Sequence, residues 1–353
     1  MIVQGYLHGS QLAVFAWSDA RVIRYEQRLN RPGRVGGSRR WERHASAFRG
    51  VHGKFGNGAG TRGPRPAIRG LLYGLLSAEG RKSVEPLAAV TAPERTAAQH
   101  QSLLHFVAQA PWSDQAMLRR VREHVLPSII REEPIQAWII DDTGFPKKGS
   151  HSVGVARQYC GQLGKQDNCQ VAVSLSVATH QGSLPIAYRL YLPKEWADDA
   201  DRRKIAGVPN DICFQTKPEI ALQQLREALA DGVPPGVALM DPAYGNDSKL
   251  RAGISGLGLS YVAGILPTTM VWRPGEAPLP PASRSGRGRP GKRLRRDATH
   301  RPVSAKTPAL ELAADAWQQI KWRDGSDTPL TSRFARWRVR PARGDDTRSV
   351  IGP

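Results

Sequence analysis

Two short apolar runs in this chain end in aspartate. Ala137-Trp138-Ile139-Ile140 runs into Asp141-Asp142-Thr143-Gly144, and Val237-Ala238-Leu239-Met240 runs into Asp241. Four apolar residues in succession read as a strand buried on both faces, the kind that lies inside a sheet covered by helices. Such a strand delivers its carboxylates to its C-terminal end. Two of these strands side by side would bring Asp142 and Asp241 within a few ångströms of each other.

The elements around these runs narrow the topology. Cys169 to Thr179 alternates apolar and polar residues through Val171, Val173, Leu175 and Val177, and Leu184 to Leu192 does so through Ile186, Tyr188 and Leu190. An amphipathic helix follows over Lys217 to Ala230, closed by Gly232 and Pro234. After the Val237 strand come a helix over Asp247 to Ile254 and a last strand over Tyr261 to Ile265. Strand, two strands able to pair antiparallel, helix, strand, helix, strand is the order of a ribonuclease H-like α/β core with a mixed sheet. A doubly wound nucleotide-binding sheet would place a helix between the first two strands, and no glycine-rich phosphate loop follows any strand here.

The remaining segments surround this core. Residues 1–65 are punctuated by Gly, Arg and Pro and read as a basic, disordered extension. Residues 66–132 read as a helical region: Ile68, Leu71, Leu72 and Leu75 recur at helical spacing, Ser113 is placed to cap a further helix, and Pro127 to end it. The core occupies 133–272. Residues 273–308 hold Pro, Gly, Arg and Ser in place of core formers and read as a basic disordered arm. Residues 309–353 carry two strand-like stretches about Asp324-Gly325, the beginning of an incomplete β-rich insertion region.

Charge follows the same partition. Of a net +20, residues 1–70 hold 13 basic against 3 acidic side chains and 273–308 hold 10 against 2, whereas 71–272 hold 20 of each. A neutral core with basic arms suits a partner that is a polyanion, and nucleic acid fits better than a membrane surface because neither arm has the apolar face of an interfacial helix. No apolar run approaches the roughly 18 residues of a membrane span. Cys160, Cys169 and Cys213 have neither the number nor the spacing of a disulfide framework or a zinc site, and read as small buried hydrophobes. With no secretory leader pattern, the expected location is the cytoplasm.

Two carboxylates brought close repel unless a cation lies between them. A pair of Mg²⁺ or Mn²⁺ ions meets that need, activates water and stabilises the leaving oxygen in phosphodiester cleavage. Two aspartates in ordinary strand-to-loop turns would show the same spacing. The surrounding sequence separates these readings.

Asp141-Asp142-Thr143-Gly144-Phe145-Pro146-Lys147-Lys148-Gly149-Ser150-His151-Ser152-Val153-Gly154-Val155-Ala156-Arg157-Gln158-Tyr159-Cys160-Gly161 closely resembles the first catalytic block of DD-E transposases of the insertion sequence 701 family. The likeness continues through Gly164-Lys165, Asp167-Asn168-Cys169-Gln170, Tyr191-Leu192-Pro193, Glu195-Trp196, Gly207-Val208-Pro209, Thr216-Lys217-Pro218-Glu219 and Asp241-Pro242-Ala243-Tyr244-Gly245. Upstream it includes Arg81-Lys82-Ser83-Val84-Glu85-Pro86. The resemblance implies a ribonuclease H-like nuclease that nicks DNA at transposon terminal inverted repeats and joins the freed 3′-hydroxyl to target DNA, acting as a homo-oligomer on DNA. It implies Asp142 and Asp241 as catalytic metal ligands. Asp141 is the alternative first ligand, since consecutive strand residues face opposite ways, and the Asp-Thr pattern favours Asp142. Lys147, Lys148, His151 and Arg157 are expected to contact phosphate beside the metals or to be solvated loop residues.

The family's third carboxylate, a glutamate on a helix after the inserted region, has no clear counterpart. Glu276 lies in the proline-rich arm, and Glu311 would serve only on a helix running from Ala309 to Ile320. The expectation is a C-terminally truncated chain with little strand cleavage, with a non-catalytic DNA-binding remnant or inhibitor as the alternative. An unrelated metal-dependent nuclease, indifferent to terminal repeats, is a third reading.

Within the basic arm, Arg287-Gly288-Arg289-Pro290 resembles an AT-hook, whose two arginines enter a narrow minor groove while Lys292, Arg293, Arg295 and Arg296 hold phosphates. General phosphate binding and a solvated linker remain alternatives.

Overall fold

The computed structural model describes residues 2–8, 11–17, 65–78, 80, 82–110, 113–281, 294–323 and 328–342. They fall into two units, one spanning 32–128 and the other joining 1–31 to 129–353.

In the first unit, α1 (Arg65–Ser77), α2 (Val84–Thr91) and α3 (Thr96–Ala108) bury Ala78, Leu87, Ala88 and Leu103, with Leu71 and Val84 against them. Gly74 permits the close approach, since a Cβ there would stand 2.9 Å from the Cβ of Leu87. Helix α4 (Asp114–Glu132) follows, and the Ser113 hydroxyl accepts a hydrogen bond from the Ala116 amide at 3.2 Å, as its capping role requires. Pro127 does not end this helix, as expected from the sequence, but lies inside it. A proline removes one backbone donor and usually bends a helix, and the flanking turns carry this helix past it.

The second unit is built on a ten-stranded sheet. Its strands are β1 (Ile2–His8), β2 (Gln11–Trp17), β3 (Ala137–Pro146), β4 (Ala156–Cys160), β5 (Lys165–Ala178), β6 (Ser183–Leu190), β7 (Val237–Met240), β8 (Tyr261–Ile265), β11 (Gln318–Arg323) and β12 (Leu330–Arg338). The order is β11-β12-β1-β2-β8-β7-β3-β5-β4, with β6 also paired to β5. At its centre β8, β7 and β3 are parallel, while β5 is antiparallel to β3 and β6 to β5. This is the ribonuclease H-like mixed sheet that the element order implies. Between β6 and β7 lie α5 (Lys194–Ala197), α6 (Ala200–Ile205) and α7 (Lys217–Ala230), and between β7 and β8 lie α8 (Pro242–Gly245) and α9 (Ser248–Gly256). Ile220, Leu225, Ala228, Leu250 and Ile254 bury the apolar stripes of α7 and α9.

The fully buried Trp138 is the largest anchor of β3, and its indole donates to the Pro234 carbonyl at 3.0 Å, tying the strand to the loop that leads into β7. Burying a side chain of that size contributes on the order of 3 kcal/mol.

Four further features differ from the sequence reading. Residues 2–8 and 11–17, in the stretch read as disordered, form an antiparallel hairpin that fills the sheet between β8 and β12. Gln11-Leu12-Ala13-Val14-Phe15-Ala16-Trp17 is rich in strand formers, and its apolar content outweighs the turn formers Gly9 and Ser10 before it and Ser18 and Asp19 after it. Strand β4, absent from the sequence reading, pairs with the first half of β5. The basic arm is partly structured: Leu279 and Arg295 pair backbones, and β9 (Met270–Trp272), β10 (Val303–Ser304) and β13 (Arg340–Pro341) make a small second sheet. Finally, a helix from Ala309 to Ile320 is not formed. In its place stand α10 (Lys306–Leu310), a single 3₁₀ turn over Ala314–Ala316 and strand β11. Val271, Ala305, Ala309, Ala335, Trp337 and Val339 make a separate core here.

Candidate functional site

The site forms where β3 and β7 part. Their last paired residues are Ile140 and Met240; beyond them β3 continues to Pro146 against β5, while the chain after β7 turns into α8. Asp141 and Asp142 therefore lie within a strand, not at its end, because β5 goes on supplying hydrogen bonds after β7 has stopped. Asp241 is the N-cap of α8, and its Oδ1 accepts from the amides of Ala243 at 2.9 Å and Tyr244 at 3.3 Å. Asp-Pro is well suited to that turn: the aspartate caps, and proline at the first helical position has no amide to satisfy.

Tyr244 joins the two carboxylates. Its amide donates to Asp241, and its buried phenol donates to Asp142 Oδ2 at 3.3 Å. Burial first, and then the charge of Asp142, push its hydroxyl far above the usual phenol range, so it stays a donor. The ring is held there by a close approach of backbones: a Cβ on Gly245 would run into the Gly264 carbonyl of β8, and one on Gly264 would meet Pro242 Cδ at 2.7 Å.

Asp142 is also paired with Lys217, whose Nζ lies 2.9 Å from the same Oδ2, with 26% and 17% of the lysine and aspartate side chains exposed. Lys217 is the first residue of α7, and its ammonium stands 5.6 Å from the centre of the Tyr191 ring. The turn that presents it is fixed by a capping box. Thr216 Oγ1 accepts from the Glu219 amide at 3.4 Å, while Glu219 accepts from the Thr216 amide at 2.8 Å. The helix is carried on the sheet by the buried Gln224, which donates to the Val173 carbonyl at 3.1 Å; Val173 pairs with Asp142.

Asp141 projects from the opposite face of β3 and is exposed. Its Oδ1 accepts from the Asp142 amide at 2.7 Å, and its carbonyl accepts from the Ser174 hydroxyl at 3.2 Å. Desolvation, and then the charges of Asp142 and Asp241, raise its carboxyl above the usual aspartate value. The three aspartates thus share one field of negative potential. Carboxylate oxygens are the donors that Mg²⁺ and Mn²⁺ take, so Asp142 and Asp241 have the chemistry for such ions. Among the described residues no group of three or more His, Cys, Asp and Glu side chains is arranged to hold a metal ion.

The other sequence-predicted residues lie elsewhere. Lys147 and Lys148 are exposed beyond the end of β3, with Lys147 about 16 Å along the strand from Asp142 at roughly 3.3 Å per residue. Their loop is pinned: Asn168 donates to the carbonyls of Lys147 at 2.8 Å and Gly149 at 2.9 Å, and Arg202 to that of Ser150 at 2.8 Å. Arg157 is exposed on β4, opposite Asn168. Arg295 donates to the Pro280 carbonyl at 2.9 Å, and Arg296 to that of Ala342 at 3.0 Å, with Trp272 5.9 Å beneath its guanidinium. Arg287, Arg289, Lys292 and Arg293 lie outside the described residues. Glu311 does not join the aspartates: its carboxylate is engaged by both terminal nitrogens of Arg273, which holds its pKa below the usual glutamate value.

Lys217 and Tyr244 are the site residues that sequence reasoning missed, although both stand within motifs that it singled out. No local signal marked Lys217, because the acid that offsets a cation at the first position of a helix is already present in Glu219 of the same turn.

A family model described as DDE superfamily endonuclease matches residues 55–329. A probable transposase for insertion sequence element IS701 from Microchaete diplosiphon is 31% identical over 200 residues, covering 56% of this chain. The chain spans 48% of that relative's length.

Proposed function

The chain belongs to the DDE superfamily endonucleases, and on that premise we propose that it acts in transposition, cleaving phosphodiester bonds at insertion-sequence ends and transferring the strand to target DNA. The observation that carries this reading is the joining of Asp142 and Asp241 through one residue, Tyr244, at the point where two parallel strands part. Asp142 and Asp241 would hold Mg²⁺ or Mn²⁺, with Asp141 the alternative to Asp142 as first ligand. Such ions, when bound, activate the attacking oxygen and stabilise the leaving one.

The protein's own contribution is placement. Tyr244 donates a hydrogen bond to Asp142 Oδ2, and the amides of α8 orient Asp241. The pinned ribbon carrying Lys147, Lys148 and Arg157 would grip the DNA backbone some distance from the bond being cut. Arg287, Arg289, Lys292, Arg293, Arg295 and Arg296 would supply further contacts, the first two in the minor groove. Its partners would be terminal inverted repeats and target DNA, met as a homo-oligomer in the cytoplasm at the nucleoid of a prokaryote. Among the described residues no helix is long and apolar enough to cross a membrane.

A nicking assay on terminal-repeat DNA with Mg²⁺ or Mn²⁺ tests this. Turnover that is lost in both Asp142→Ala and Asp241→Ala supports it; cleavage that survives either substitution sinks it. A second reading, a DNA-binding protein that occupies transposon ends without cutting them, is favoured by the engagement of Glu311 with Arg273. It predicts terminal-repeat binding with no nicking by the unaltered chain.

A further inference from the structure

The proposed metal ligand Asp142 already has a cation on it. Lys217 Nζ and the Tyr244 hydroxyl both address Oδ2, at 2.9 and 3.3 Å. Two features indicate that the lysine is set there by the fold. Its helix begins at a capping box that fixes the backbone of Thr216 to Glu219, and its ammonium faces the Tyr191 ring, which holds the chain on one side. The side chain leaves the first position of α7 and reaches across to Asp142, with which it forms an ion pair that is only 26% and 17% exposed.

We propose that Lys217 is a positioning residue that serves Asp142 as a built-in counter-cation in the metal-free protein, and that it must leave Oδ2 before a divalent ion can take that oxygen. The inference rests on the reading of Asp142 as a metal ligand. Lysine suits this role: its ammonium is a compact charge on a flexible four-carbon stem, able to release the carboxylate without moving the helix. While it remains, the carboxylate is held in one orientation and the negative potential of Asp141, Asp142 and Asp241 is partly neutralised. Metal affinity is therefore lower than the aspartates alone would give.

The test is Mn²⁺ binding to the full chain, followed by calorimetry and by the electron paramagnetic resonance of free Mn²⁺. Lys217→Met is expected to bind Mn²⁺ about three- to tenfold more tightly, the range set by one partly exposed ion pair. Lys217→Arg, which keeps the charge, is expected to stay near the unaltered affinity, and adding Asp142→Asn to Lys217→Met is expected to abolish the gain. If Lys217→Met does not fold by circular dichroism, Lys217→Gln takes its place with the same expectation. Unchanged or weaker Mn²⁺ binding in the folded Lys217 variant, beside weakened binding in Asp142→Asn, overturns this inference alone. Unchanged binding in Asp142→Asn overturns the reading of Asp142 as a ligand, and this inference with it.

Discussion

Lys217 and Asp142, 75 residues apart in the chain, form a 2.9 Å ion pair between β3 and the start of α7, the helix that packs on the neighbouring strand β5. The pair couples the start of α7 to the middle of β3, so changes to either element should be felt at the other.

The capping box that presents Lys217 offers the first check. Thr216→Ala removes a hydroxyl that caps α7, and losses of this kind cost about 1 kcal/mol. A lower thermal midpoint is expected, because nothing else in the box replaces the Thr216 oxygen. Glu219 adds a pH dependence: the Thr216 amide and hydroxyl hold its carboxyl below the usual glutamate value. That contribution is present above the unfolded value of 4.5 and is lost as the pH falls through the lower folded value. Thermal melts from pH 3 to 7 should therefore show the Thr216→Ala deficit shrinking at the acid end.

Asp141 behaves in the opposite sense. Its carboxyl is raised, chiefly by desolvation, so the folded chain binds that proton more tightly than the unfolded one does. Stability from this group is greatest in acid and is lost as the pH rises through the folded value. In the absence of metal, Asp141→Asn should melt higher than the unaltered protein at pH 7, with the gap closing below the ordinary aspartate value of 3.8. A melting temperature that falls at pH 7 would contradict this account.

Gly245 is the backbone contact on which Asp241 and Tyr244 depend. Gly245→Ala puts a methyl group into the Gly264 carbonyl of β8, which cannot swing away as a side chain would. Overpacking of this kind costs about 1–3 kcal/mol. Alongside lower stability, weaker Mn²⁺ binding is expected, since relief of the clash moves the helix that Asp241 caps.

Glu311→Gln should leave Mn²⁺ affinity unchanged, because the carboxylate it removes is engaged by Arg273. A clear loss of metal binding would place Glu311 in the site after all.

Thiol chemistry gives a check on burial. Cys160 and Cys169 are buried and Cys213 is exposed. Burial first, and then neighbouring Cys160, push the Cys169 thiol up to about 11. At pH 8 an aromatic disulfide reagent should modify one thiol quickly, and Cys213→Ser should remove that fast phase.

Much of the fold was legible because local pattern and tertiary environment agree in the core. The buried runs at Ala137 and Val237, the alternation of β5 and the amphipathic stripe of α7 each follow from burial on a known number of faces. Legibility failed where an element depends on a distant partner. Strand β4 has no apolar run of its own and exists as an edge against β5. The hairpin of β1 and β2 takes its place from β8 and β12, more than 200 residues away. Pro127 breaks a local rule that the surrounding turns override. Of the candidate site, Asp142 and Asp241 were visible as residue types in position, whereas Lys217 and Tyr244 were visible only as letters in motifs.

What the sequence determined by itself is which residues can do chemistry and which order of elements carries them: carboxylates behind apolar runs, in a strand and helix order that suits a ribonuclease H-like core. What only the tertiary structure decided is which of two adjacent aspartates faces Lys217 and Tyr244, and how far the lysines of the β3 ribbon stand from them. The physical reason is that strand alternation allows both faces to Asp141 and Asp142 alike. The choice between them falls to the helices laid over one side of the sheet, which bring a cation and a phenol to Asp142 and leave Asp141 exposed on the other.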